Sequence, residues 1–202
     1  DATQFFWQGI SPYTTEFVEA HGRYFLYSPV FTVLFAPFAY LPAWLGPFAW
    51  NLFNYSLFFM AIFTLPQQFT QQQKCRMFLF LLLILGQSLL SFQYNITVAY
   101  LFLFAYTLLE KDRGFLAVLL IMISGCTKVY GIFELALLLC YPHVWRNFGY
   151  AVTMGIVLLA LPLIKIAPAD LLPYYEEWCH SLAVHQSAGA YDSFFYARPI
   201  AA

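Results

Sequence analysis

Between residues 115 and 140 the chain reads "FLAVLLIMISGCTKVYGIFELALLLC", an apolar stretch broken by Lys128, with Gly125 and Gly131 on either side. A charged side chain at the centre of a bilayer costs about 2.5–3.5 kcal/mol on insertion scales, and such residues usually face a cavity or a polar ligand's path. The flanking glycines would let the chain turn beside the lysine. In a recess of low dielectric, its ammonium attracts an anion more strongly than it would in water. The alternative is a lysine snorkelling from a helix end to the interface.

Gln93 and Asn95 stand two apart at the start of a helical run. Their amides can hold a polar ligand or cap the helix. Glu134, six residues after Lys128, is expected on a different face of an α-helix and beside a polar neighbour. Near the C-terminus His180 and His185 accompany Glu176, Glu177 and Asp192. Their spacing fits no metal-ligand motif, so no metal is expected. Cys75, Cys126, Cys140 and Cys179 are scattered without a CxxC and read as unpaired membrane cysteines.

The elements that must position these groups are apolar. Hydrophobic residues make up 62% of the 202-residue chain and charged residues 9%, against about 25% charged in an ordinary soluble domain; the mean hydropathy is +0.68. This composition predicts an integral membrane protein. A net charge of -1 offers no basic face for nucleic acid. The opening at Asp1 and the ending "YARPIAA" read as those of a fragment lacking at least one upstream transmembrane helix.

Apolar runs fall at about 29–44, 46–65, 77–92, 95–109, 115–127, 129–142 and 148–167. The loops "PQQFTQQQKCR", "EKDRG" and "PHVWRN" carry most of the basic charge, and the positive-inside rule places them on the cytoplasmic side. "FQYN", "TKVYG" and the tail 168–202 then face the opposite side together. Several runs have only about 13–16 residues where a span needs roughly 20, which predicts helices ending inside a recess. The run at 29–44, with Pro29, Pro37 and Pro42, is expected to re-enter or lie at the interface, with a full span as the alternative. Residues 1–28 form an extracytoplasmic loop in this reading, anchored on the membrane by Phe5, Phe6 and Trp7; 29–167 form the transmembrane module, and 168–202 a second external loop.

"DATQFFWQGISPY", then "YSPVFTVLFAPFAYLP", "FQYN" and "KDRGFLAVLLIMISGCTKVYG" resemble in order and spacing the polyprenol-phosphate-dependent enzymes of glycosyltransferase family 87 (GT87). These are membrane enzymes of the GT-C fold that include mycobacterial alpha-mannosyltransferases. The resemblance covers residues 1 to 140 or so. Phe92 stands where the family has Gly before Gln93, "VYG" follows Lys128 where Pro is frequent, and "HQS" at 185–187 replaces an Asn-Gln-Ser element.

The resemblance implies an all-α, polytopic, GT-C-like protein of the bacterial inner membrane. It would transfer a hexose such as mannose from a polyprenyl-phosphate donor to a glycolipid or glycan acceptor. Asp1 would be the catalytic base for the acceptor hydroxyl, and Lys128 would meet the donor phosphate. Gln93, Asn95, His185 and Gln186 would bind substrate. Arg23 could grip phosphate and Tyr27 stack on a sugar, unless both anchor the chain at the interface. The lipid-linked sugar is a substrate, and no cofactor is expected; membrane lipids complete the set of partners. A transporter or flippase is the rival reading, because short, Gly- and Pro-interrupted apolar segments around a lysine also mark transport sites.

Overall fold

The computed structural model describes residues 2–22, 24–90 and 94–192, and every regular element among them is helical. Two short helices open the chain, α1 (Ala2–Gln8) and α2 (Thr15–His21). Thr14 caps α2 by accepting the Phe17 N–H, and Gly22 closes it in the left-handed region at φ 65°. The proline-rich run forms α3 (Pro29–Leu34) and α4 (Ala36–Ala39). Pro29 suits the first helical position, whereas Pro37 has no N–H for the Val33 carbonyl, and the helix breaks there. Each piece alone is far too short to cross a bilayer.

A bundle follows: α5 (Leu45–Phe63), α6 (Gln71–Leu90), α7 (Asn95–Leu109), α8 (Gly114–Thr127), a 3-10 helix over Val129–Cys140, and α9 (Val144–Ala160) with a 3-10 turn at Leu161–Ile164. Helix α5 packs on α6 and α7, α7 on α8, and α8 on both the 3-10 helix and α9. One core joins Val118, Ile121, Met122, Leu138 and Met154; another joins Phe58, Ile62, Ile96 and Tyr100. The opposite faces are also apolar: Phe48, Leu52 and Phe59 of α5 and Val152, Ile156 and Val157 of α9 are exposed. Helices apolar all round need a buried or lipid setting. Among the described residues Val144–Ile164 is long and apolar enough to cross a membrane by length and composition, and Asn95–Leu109, Gly114–Thr127 and Val129–Cys140 are apolar but shorter.

The 3-10 segment explains part of the short-run problem. At about 2.0 Å per residue its 12 residues extend over roughly 24 Å, where an α-helix would reach ~18 Å. Within the segment Gly131 and Glu134, three residues apart, fall on one row, and Glu134 has the expected polar neighbour in Ser124.

The basic loops gather at one end. There Tyr141 donates to Glu110, Gln68 donates to Tyr106, and Arg146 lies 3.8 Å from Asp112. Buried Lys74 donates to the Phe63 and Leu65 carbonyls at 3.2 and 2.6 Å, closing the C-terminus of α5. The other end gathers α1, α3, α4, Tyr94–Asn95, Thr127–Lys128 and a final helix, α10 (Leu171–Asp192).

The C-terminal stretch read as a loop is therefore mainly helical. Pro173 sits within the first turn of α10, where its missing N–H costs nothing, and Tyr174, Trp178 and Ser181 turn inward at helical spacing. The proposed membrane anchors also have another role. Phe6, 1% exposed, packs edge-on against Tyr174, and the Trp7 indole donates to the Thr32 carbonyl at 3.2 Å. They fasten α1 to α10 and α3, because large aromatic surface is stabilised most by burial against protein.

Candidate functional site

The turn before α3 is stitched to the end of α8. The Ser28 N–H donates to the Thr127 carbonyl at 3.1 Å, and its hydroxyl donates to the Cys126 carbonyl. The Thr127 and Tyr94 hydroxyls are 2.7 Å apart and share a hydrogen bond, while the Tyr94 N–H reaches the Tyr27 hydroxyl at 3.4 Å. These contacts bring three sequence-distant stretches together: 27–28, 94–95 and 127–128. Orphan carbonyls at the α8 terminus are satisfied by the same bonds that place Tyr27.

Lys128 leaves the helix in extended conformation, at φ -140° and ψ 126°. Its Nζ donates to Asn95 Oδ1 at 2.6 Å. The ammonium also stands 5.6 Å from the centre of the Tyr27 ring and 5.7 Å from that of Tyr130, within cation–π range of both. Asn95 is the first residue of α7 and Tyr94 its N-cap. The two short helices α7 and α8 thus end side by side, with a cation and an amide at their common rim.

The glycines beside Lys128 act differently from expectation. Neither is among the residues with positive φ. A Cβ on Gly131 would stand 2.4 Å from the carbonyl carbon and Oγ of Ser124, and one on Gly125 would meet the Ile132 nitrogen at 3.2 Å. They allow the 3-10 helix to pack directly on α8. Beneath this crossing Ser124 donates to Glu134 Oε1 at 2.8 Å. Glu134 is 8% exposed, and its Oε2 is buried without a partner.

Tyr27 also forms one wall of a groove of about 520 Å³ between α1, α3, α4 and α5. Phe31, Phe35, Trp50 and fully buried Tyr94 share the lining. Tyr27 stacks on Phe31 with centroids 4.7 Å apart, and Tyr94 meets Phe31 and Phe35 edge-on at 5.5 Å. The result is an aromatic groove whose wall ends against a lysine ammonium. A concave, mainly aromatic recess with a few polar groups at its edge is the usual form of a small-ligand site.

The neighbouring layer holds the connecting segment 24–28 in place. The Tyr13 hydroxyl donates to the Tyr27 carbonyl at 2.8 Å, and the Trp178 indole donates to the Leu26 carbonyl at 3.1 Å. Burial, followed by the proximity of Tyr174, Tyr175 and Glu177, holds the Tyr13 phenol well above its ordinary pKa, so it keeps its proton. Glu177 accepts from Ser11, and exposed His185 tilts against Tyr24 with ring centres 5.8 Å apart.

Of the residues expected to bind substrate, Tyr27, Asn95 and Lys128 come together. His185 lies on α10, beside Tyr24 of the connecting segment. Asp1, Arg23 and Gln93, and the side chain of Gln186, lie outside the described residues; Thr3 and Gln4, close to Asp1 in sequence, line the groove. Nothing in the sequence marks Tyr130 as a neighbour of the Lys128 ammonium. The aromatic groove is as little marked, its only sequence signal being the recurrence of Phe and Tyr through 25–38.

No curated protein and no solved structure matches the chain. The family model described as glycosyltransferase family 87 matches residues 25–196, carrying the likeness through α10 and starting after Asp1 and Arg23. Because that match spans well over half of the sequence, from the Tyr27 segment through the Lys128 site to the last helix, the chain belongs to glycosyltransferase family 87 and is a glycosyltransferase.

Proposed function

We propose that the protein transfers a hexose, with mannose the first candidate, from a polyprenyl-phosphate donor to a glycolipid or glycan acceptor. The observation that carries this reading is that Tyr27 both lines the aromatic groove and stands 5.6 Å from the Lys128 ammonium. The groove takes the isoprenoid, whose burial is driven by apolar area, and the ammonium takes the phosphate. The bundle is polytopic in this reading and crosses a bacterial inner membrane. The site end faces out, and the basic-loop end faces the cytoplasm.

In the transfer step the acceptor oxygen forms a bond to the anomeric carbon as the bond from that carbon to the phosphate oxygen breaks. The polyprenyl phosphate leaves with the electron pair, and Lys128 stabilises its charge. The acceptor proton passes to Asp1, the proposed base. A transporter needs a mid-depth site reachable from both ends; the Lys128–Asn95 pair at one rim of the bundle favours transfer.

Binding of polyprenyl-phosphate mannose to the full-length protein tests this reading. Lys128→Met keeps the apolar stem and should weaken binding by roughly 2 kcal/mol or more, the order for a charge-assisted contact removed from a desolvated site. Melting temperature should hold or rise, because the charge is gone from an apolar setting. Unchanged affinity would remove Lys128 from the donor site.

A further inference from the structure

The two rings flanking Lys128 are alike in distance and unlike in surroundings. Tyr27 is half-buried, stacked on Phe31, and part of the groove wall. Tyr130 is 70% exposed, with its ring centre 5.7 Å from the same ammonium. A donor that places its isoprenoid in the groove occupies the Tyr27 side of Lys128. Its phosphate meets the ammonium, which has three N–H donors, one of them given to Asn95. The sugar is joined to that phosphate by a single ester oxygen, so it lies close to the ammonium, within reach of the ring beside Lys128 that is not part of the groove wall.

We infer that Tyr130 is the platform on which the donor's hexose stacks, and that it is the residue through which the site recognises the sugar rather than the lipid phosphate. This rests on the donor reading of the Lys128 site. One face of a pyranose presents C–H groups, which carry slight positive charge, and the face of a tyrosine ring is its negative region. The position of Tyr130 is fixed by its neighbours: the Gly131 N–H donates to the Lys128 carbonyl at 2.9 Å, and Gly131 is pressed onto Ser124 with no room for a side chain. The ring therefore projects from a braced segment. A tyrosine at a membrane interface can also serve only as an anchor, and that role has different consequences.

The test compares binding of two ligands, polyprenyl-phosphate mannose and polyprenyl phosphate, to the full-length protein in lipid nanodiscs. Tyr130→Ala should weaken the mannose-bearing ligand by about three- to ten-fold, the range of an aromatic contact. It should leave polyprenyl phosphate unchanged. Tyr130→Phe keeps the ring and should bind both ligands as wild type does. Equal loss of both ligands in Tyr130→Ala, no loss of either, or loss of mannose binding in Tyr130→Phe would each overturn the platform. Lys128→Met in the same assay reports on the donor site itself, because it should weaken both ligands. If it weakens neither, the donor reading fails, whatever Tyr130 does.

Discussion

At the scale of the residue, the site depends on Lys128 being held while its charge stays available. Asn95 does this as a neutral partner: its amide oxygen orients the ammonium at 2.6 Å without cancelling it. Asn95→Asp should therefore be worse than Asn95→Ala. A carboxylate there would pair with the lysine and repel the donor phosphate, lowering donor affinity by about ten-fold or more, whereas alanine removes only an orienting contact. Donor titrations of the two variants would show the order, and an Asn95→Asp protein that binds as wild type does would mean the phosphate lies elsewhere. Lys128 and Asn95 were legible in the sequence because a charge in an apolar run and an amide at a helix start are conspicuous by chemistry alone. Tyr130 was not, since one more aromatic in a chain with 21% aromatics stands out only when its distance from Lys128 is known.

At the scale of the element, the decisive feature is the 3-10 helix after Lys128. Apolar composition gives its length, and nothing in "VYGIFELALLLC" separates three residues per turn from 3.6 by pattern alone. The polar neighbour expected for Glu134 is present as Ser124, whereas the row that Glu134 shares with Gly131 comes from the 3-10 geometry. The packing of this helix on α8 makes a sharp prediction. Gly131→Ala would place a Cβ 2.4 Å from Ser124 atoms and 2.6 Å from the Gly125 nitrogen, and should cost about 1–3 kcal/mol or more, as overpacking does. Gly125→Ala, whose nearest contact is 3.2 Å, should cost less. Melting temperatures of the purified variants check the order; Gly131→Ala with wild-type stability would mean the two elements are not in direct backbone contact. The same close packing holds Lys128 and Tyr130, so the glycine belongs to the architecture of the site without touching a ligand.

At the scale of the whole molecule, the antiparallel order of the bundle sorts polar groups to two ends. The grouping of loops was legible from charge and from the alternation of apolar runs. The cap formed by α1, α2 and α10 was not, because its aromatic residues serve equally well as interface anchors until their partners are known. Exposed Asp112 lies at the basic-loop end, and exposed Asp170 in the turn before α10. Single cysteines at these two positions, in a background without the four native cysteines, should label oppositely with a membrane-impermeant thiol reagent in intact cells. Position 170 should react and position 112 should be shielded. The reverse pattern would put the Lys128 site in the cytoplasm.

The most direct measurement is sugar transfer by the full-length protein in membranes, with radiolabelled mannose supplied either on polyprenyl phosphate or on a nucleotide, and with Asp1→Asn alongside wild type. Wild type should move label from the lipid-linked donor to a glycolipid or glycan product. Asp1→Asn should lower that turnover by about 100-fold or more while leaving donor binding nearly unchanged. Transfer from the nucleotide sugar with none from the lipid-linked donor would contradict the account, because the aromatic groove and Lys128 would then have no lipid phosphate to bind.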